Sequence, residues 1–266
     1  NHAFHVTHSQ PSVDTMKVSG GKLAERKESM TYATVTFTEP ETGALQQRTT
    51  AVVKTSGQGG YYIDIFRSRK QEGGDKTHDY FYHNLGQAMT LTTTDGRPVS
   101  TTPTDELAFA GGHLYAYSYL YNKECAEANQ AVKVTFTTQI EDPKTVEALY
   151  GQHTVTMTLW MNPDKDRTLF KALSPANLEY ERMAHQPYKV EKQPVLTFVA
   201  RQRGEAWTHP FVAVYEPSSD TEPGDIADVT YFTPDNPGAV GIRIKLKNGS
   251  TQRFVCTDDG QLEMKQ

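Results

Sequence analysis

At 266 residues the chain is long enough for one large β sandwich or two smaller sheet domains. Its formal net charge of −5, with no basic segment, argues against a nucleic-acid partner, because phosphate binding needs a basic patch. No apolar run approaches the ~20 residues that span a bilayer as a helix, and fourteen Tyr and eleven Phe, with abundant Thr and Val, favour strands.

Taken in order, the opening NHAFHVTHSQ holds His2, His5 and His8. On a strand His2 and His8 share a face and His5 opposes them. Residues 23–54 predict a hairpin, with Met30, Tyr32, Val35 and Phe37 on one strand, a turn at Pro40 and Gly43, and a return through 45–53. Next comes the densest stretch, YYIDIFRSRKQEGGDKTHDYFYH. Tyr61, Ile63 and Ile65 share one strand face while Tyr62, Asp64 and Phe66 share the other. Residues 67–77 carry Gly73-Gly74 and read as the loop of a long hairpin. The return strand puts His78, Tyr80 and Tyr82 on one face and Asp79, Phe81 and His83 on the other. This pattern predicts antiparallel pairing of 62–66 with 78–83, and burial of Ile63, Ile65, Phe66 and Phe81.

Residues 85–94 form a Thr-rich strand closed by Asp95-Gly96, and 98–107 a polar loop. In GHLYAYSYLYN the tyrosines Tyr115, Tyr117, Tyr119 and Tyr121 alternate, so a strand would present them as a ladder. Such a ladder is either a sugar-stacking platform or aromatic pairing inside the sandwich. Strands follow at 132–140 and 154–161 around a loop at Pro143, the second with both faces covered; NPDKDR (162–167) is a turn. Residues 170–183 have modest helical character, limited by Pro175 to about two turns. The remaining strands are 187–201, 211–215, 229–232, 242–246 and 252–255, the last pair joined by Asn248-Gly249, which predicts a two-residue type I′ turn. The expected organisation is a main sandwich over 1–186 and a sheet region over 187–266 continuous with it. Cys125 and Cys256 are compatible with one disulfide or with two reduced core thiols.

Chemistry concentrates at His78, Asp79 and His83, with Arg67 and Arg69 across the expected hairpin. A histidine held by a carboxylate serves as a base or a metal ligand. Neighbours on a strand face opposite ways, however, so Asp79 cannot orient His78. The structural alternative pairs Asp79 with Arg67 or Arg69 and hydrogen-bonds His78 at the hairpin. The candidate substrate-binding residues are Tyr115, Tyr117, Tyr119, Arg67 and His78, and no catalytic residue is assigned. Neither a phosphate-binding glycine loop nor a Gly-x-Ser-x-Gly nucleophile turn occurs.

The strand ending Asp-Ile-Phe-Arg, its glycine-bearing loop and the His-Asp-aromatic return (62–83) resemble the sheet region of heparinase II/III-like polysaccharide lyases. AWTHPFVAVYEP (206–217) and the opening NHAFHVTHSQ are similar to further segments of that family. The resemblance implies an all-β antiparallel supersandwich of stacked large sheets with at most one or two short helices. It also implies a secreted or periplasmic parent enzyme that cleaves a uronic-acid-containing polysaccharide, such as a glycosaminoglycan, by β-elimination. The catalytic groups would then lie on an α/α-toroid partner domain upstream, leaving this chain as scaffold and cleft wall. His2 would be one ligand of a zinc ion in the full-length parent, completed by ligands upstream of residue 1, with no cofactor expected in this chain alone. Where the family reads His-Asn, this chain reads Asn1-His2. The alternatives in other classes are a free-standing carbohydrate-binding module and a structural interaction domain.

Overall fold

The computed structural model describes residues 13–18, 29–40, 42–55, 59–108, 112–176 and 193–265. The chain begins as a meander of β1 (Val13–Val18), β2 (Met30–Glu39), β3 (Ala44–Lys54) and β4 (Gly60–Lys70), each antiparallel to the next. β2 and β3 form the expected hairpin, in register from Met30 opposite Val53 to Glu39 opposite Ala44. Next come β5 (Thr77–Asn84), β6 (Ala88–Thr93), the two-residue β7 (Thr102–Pro103), a 3₁₀ helix (Gly112–Tyr119), β8 (Tyr121–Glu127) and β9 (Val132–Gln139). A short helix α1 (Pro143–Ala148), capped by the Asp142 carboxylate on the Thr145 N–H, leads to β10 (Thr154–Met161) and β11 (Arg167–Ser174). The last third holds β12 (Val195–Arg203), β13 (Ala206–Ser219), β14 (Ile226–Phe232), β15 (Val240–Leu246), β16 (Thr251–Cys256) and β17 (Leu262–Lys265). Among the described residues no helix is long and apolar enough to cross a membrane.

Three antiparallel sheets stack as layers. The eight-stranded sheet, in the order β1-β2-β3-β4-β13-β10-β9-β6, lies in the middle. On one side it packs against β5-β12-β11-β8-β7 and on the other against β14-β15-β16-β17. The alternation along the central strands decides this. Tyr61, Ile63, Ile65, Trp160, Val212 and Val214 pack with Val229, Ile242, Ile244 and Phe254 of the four-stranded sheet. Their strand neighbours Leu159, Met161, Phe211 and Ala213 point the other way, against Leu169, Phe198 and Ala200 of the five-stranded sheet. Both layers are dry: Ile63, Leu159, Phe198, Phe211 and Phe254 are each 0 % exposed, and burial of each such side chain is worth about 1.5–3 kcal/mol. A third, smaller cluster of Leu107, Leu120, Phe170, Ala172 and Val199 seals the outer face of the five-stranded sheet. The all-β stacked architecture expected from the sequence is the one observed.

Four local expectations are corrected. β4 and β5 are not a hairpin: β4 has β3 on one edge and β13 on the other, while β5 pairs with β12 in a different sheet. Neighbours in sequence usually pair, but both edges of β4 are occupied, so the chain crosses to the covering layer instead. Residues 112–119 are a 3₁₀ helix rather than a strand; with three residues per turn, positions two apart sit about 240° round the axis, so the tyrosine ladder does not exist. Residues 170–174 belong to β11, paired with β12 and β8, not to a helix, and 177–183 lie outside the described residues. Finally, only Gly249 of the Asn248-Gly249 pair has positive φ, +89°, and the Gly249 N–H donates to Leu246 O. This is a type I turn followed by a left-handed glycine rather than a type I′ turn.

Candidate functional site

The crossing from β4 to β5 builds the best candidate. Gly73 and Gly74 both have φ near +75°, a left-handed pair that residues with a Cβ adopt at a cost, and they swing the chain out of the central sheet. The Asp75 carboxylate fixes the loop by accepting from the Lys70 N–H at 2.6 Å and meeting His78 Nε2 at 2.8 Å. Burial opposes ionisation of Asp75, but the Lys70 and His78 hydrogen bonds outweigh it and hold the carboxyl below the usual range. His78 is therefore oriented by Asp75, three residues earlier, in the structural role the sequence allowed.

On the opposite face of β5, Asp79 is gripped by Arg201 of β12, with Nε and Nη2 each 2.7 Å from a carboxylate oxygen. The Tyr117 hydroxyl donates to the same carboxylate at 2.5 Å. Burial, followed by the Asp79 charge, pushes the Tyr117 phenol far above its ordinary range, so it stays a protonated donor. The expected partners of Asp79, Arg67 and Arg69, are thus replaced by Arg201, which lies directly opposite in the β5–β12 register. Phe81 packs edge-on to Tyr117 at 5.5 Å and stacks on His83 at 5.9 Å. His83 Nδ1 is 2.9 Å from the Thr197 hydroxyl.

Between this strand, the end of β4 and the 3₁₀ helix lies a cleft of ≈ 720 Å³, lined by Gln46, Phe66, Lys76, His78, Phe81 and Tyr117. Among the described residues its exposed charges are Lys70 and Lys76, whereas Asp75 and Asp79 have side chains only 9 % and 8 % exposed and are already paired. Phe66 and Phe81, expected in the core, are half-buried because they form its walls. The cleft is therefore aromatic in its walls and cationic at its rim, a combination suited to an anionic, ring-bearing ligand.

Of the sequence candidates, the cleft unites His78 and Tyr117. Tyr119 is 48 % exposed and is separated from them by the helical geometry; the side chain of Tyr115 and the whole of His2 lie outside the described residues. Arg67 is corrected as a surface binder: it is 0 % exposed and sits on the face of β4 turned toward the four-stranded sheet. Among the described residues no group of three His, Cys, Asp or Glu side chains converges on a metal position. Cys125 and Cys256 are separate thiols on different sheets.

Two networks escaped the sequence reading because their members are far apart in the chain. In the first, Asp64 accepts from Arg48 Nε at 2.9 Å and from the Tyr80 hydroxyl at 2.6 Å, and Tyr80 in turn meets the Tyr215 hydroxyl. In the second, Arg167, 0 % exposed, donates to Gln202, to Asn162 and to the His209 and Pro210 carbonyls, while Asp164 meets His209 Nδ1 at 2.8 Å. Burial pushes the Arg167 guanidinium down to about 10, with Asp164 opposing. The alternation of β4 signalled that Asp64 was turned inward, but nothing local named Arg48, Tyr80 or Tyr215.

The fold and cleft define a stacked antiparallel β sandwich with an aromatic, cation-rimmed groove at a sheet-to-sheet crossing. The chain is 30 % identical over 249 residues to an endo-acting ulvan lyase of Formosa agariphila, a match covering 90 % of this chain and 28 % of that protein. The chain thus spans little more than a quarter of the relative's length, and the similarity relates it to a polysaccharide lyase. No protein-family model matches the chain.

Proposed function

We propose that this chain is the sheet scaffold and cleft wall of a polysaccharide lyase of heparinase II/III type. The observation that supports a polysaccharide lyase is the 30 % identity to the endo-acting ulvan lyase over 90 % of the chain; the heparinase II/III type rests on the resemblance of residues 62–83 and 206–217. In this reading the glycan contains uronic acid, the bond is broken by β-elimination, the protein is secreted or periplasmic, and an α/α-toroid domain supplies the opposite wall. β-Elimination needs a group to neutralise the carboxylate, a base for the proton beside it and an acid for the leaving oxygen. In this reading the cleft on this chain contributes binding: Asp79 is committed to Arg201 and Tyr117, and His78, held by Asp75, is the side chain of the cleft whose catalytic use the assay below tests. Zinc enters this reading only through His2, as a property of the full-length parent.

The test is to incubate the purified chain with ulvan, heparan sulfate, chondroitin or alginate and follow ultraviolet absorbance from unsaturated uronate, with glycan binding measured in parallel. Binding of an anionic glycan without a rise in absorbance is expected. Turnover abolished by His78→Ala would move the chemistry onto this chain, and absence of any glycan binding would remove the cleft-wall role.

A further inference from the structure

The cleft does not end at the crossing. β5 is the edge of the covering sheet, whereas the central sheet continues past it through β3, β2 and β1. The face of β3 and β4 turned toward that covering sheet therefore runs out from under its edge. The cross-strand pairs on this face follow one another in register: Gln46 with Ser68, Arg48 with Phe66, Thr50 with Asp64 and Val52 with Tyr62. Gln46, Phe66 and Ser68 line the cleft, and Arg48, Thr50, Val52, Tyr62 and Asp64 line a second hollow of ≈ 400 Å³. From Gln46 to Val52 the track is about 20 Å long at ~3.4 Å per residue.

Between Gln46 and Val52 it combines exposed apolar surface with a guanidinium, and past Val52 and Tyr62 the lining turns to Glu216, Glu222 and Asp225. Tyr62 is 46 % exposed and Val52 is 50 % exposed, an uncovered aromatic and aliphatic surface on an otherwise well-packed strand pair. Arg48 has a side chain 56 % exposed, while its partner Asp64 is only 8 % exposed. The ion pair uses the Nε–Nη2 edge of the guanidinium, so Nη1 is left as the donor edge on the open side. Asp64 is further consumed by the Tyr80 hydroxyl. Among the described residues, each carboxylate lining the two hollows, Asp64, Asp75 and Asp79, is shielded and paired, and the exposed charges are Arg48, Lys70 and Lys76. In a chain of net charge −5 the exposed surface here therefore offers the ammonium groups of Lys70 and Lys76 and the remaining Nη1 donor of the paired Arg48, while the carboxylates are shielded.

We propose that this track is a binding subsite for an anionic oligosaccharide, continuing the cleft: Tyr62 stacks under a pyranose ring and Arg48 takes that sugar's carboxylate or sulfate. The inference rests on the polysaccharide reading above and extends it to a specific second position. The C–H face of a pyranose packs on an aromatic ring, and a guanidinium already fixed by a buried carboxylate reaches an anion with little loss of side-chain freedom.

Isothermal titration of the folded chain with a short ulvan oligosaccharide fraction, beside a dextran fraction of equal length, tests this. Arg48→Gln and Tyr62→Ala are each expected to weaken ulvan binding about tenfold, raised salt to weaken it further, and dextran to bind far more weakly. Arg48→Gln leaves Asp64 without its cation, so the half-exposed Tyr62, whose removal should leave the melting temperature unchanged, separates binding from folding. Ulvan binding indifferent to both substitutions but lost in Lys76→Ala overturns the subsite and leaves the cleft-wall reading standing. Equal binding of dextran overturns the anionic assignment, and no ulvan binding at all overturns both readings.

Discussion

Asp79 and Arg201 stand directly opposite each other in the β5–β12 ladder, joined by two bonds of 2.7 Å although 122 residues separate them in the chain. The pair is largely shielded, with side chains 8 % and 17 % exposed, and Tyr117 adds a third bond that ties the 3₁₀ helix to the sheet. Removing one member leaves the other charge buried and uncompensated. Asp79→Asn should therefore cost about 3 kcal/mol in urea unfolding, and Tyr117→Phe about 1 kcal/mol. In a double-mutant cycle, Asp79→Asn with Arg201→Met should destabilise by less than the sum of the two single changes. Additive losses would show that the two side chains do not act as a pair.

A different carboxylate sets the acid limit of the crossing. The folded-state affinity of Asp75 for a proton is lowered: burial opposes this, but the Lys70 N–H and the His78 imidazole outweigh it. For a carboxyl with a depressed folded value, the stabilising contribution is complete above the unfolded value of about 3.9 and disappears as pH falls through the folded one. Asp164 behaves alike: burial raises it, and the Asp166 N–H, Gln202 and His209 bring it below the ordinary range. Wild-type protein should lose stability steadily between about pH 5 and pH 2, and Asp75→Asn, already without that contribution, should lose less over the same interval. Parallel curves for the two proteins in urea titrations would rule out Asp75 as a source of acid sensitivity.

What the sequence made legible was periodicity. The alternation of Tyr61, Ile63 and Ile65 against Tyr62, Asp64 and Phe66 predicted a strand covered on both sides; the first face is fully buried against the four-stranded sheet, whereas on the second Asp64 and Phe66 reach the covering layer and Tyr62 stands 46 % exposed beyond its edge. The partners of β4 were not legible, because β13 lies more than 130 residues away and nothing local distinguishes a hairpin return from a crossing to another layer. Similarly, alternating tyrosines from Tyr115 to Tyr121 fit a strand by spacing alone, whereas the segment is a three-per-turn helix through Tyr119 and only Tyr121 lies on a strand, β8. In the site, His78 with Asp75 was within reach of a local reading. Arg201 on Asp79, or Arg48 on Asp64, was not, since such pairs are fixed by the register of the assembled sheets.

Arg67 supplies a prediction of opposite sign to Asp79. Its guanidinium is 0 % exposed, one nitrogen donates to the Trp207 carbonyl, and Nε and Nη2 find no hydrogen-bond acceptor among the described residues. Burial pushes this group down from the ordinary arginine range, with Cys256 and Asp258 opposing. A buried cation with unsatisfied donors costs desolvation that its single bond does not return, so an apolar side chain of similar length should serve as well or better. Arg67→Met is expected to keep or raise the urea midpoint, whereas Arg67→Ala, which leaves a cavity between the sheets, should lower stability by roughly 2–4 kcal/mol. The neighbouring Cys256 provides a second readout: it is 1 % exposed and burial raises its thiol, while Cys125 is partly exposed. A thiol reagent should therefore label Cys125 in the native protein and reach Cys256 only on unfolding. A loss of more than about 2 kcal/mol in Arg67→Met, with Cys256 becoming reactive, would mean that the guanidinium holds the two sheets together through more than its bond to the Trp207 carbonyl.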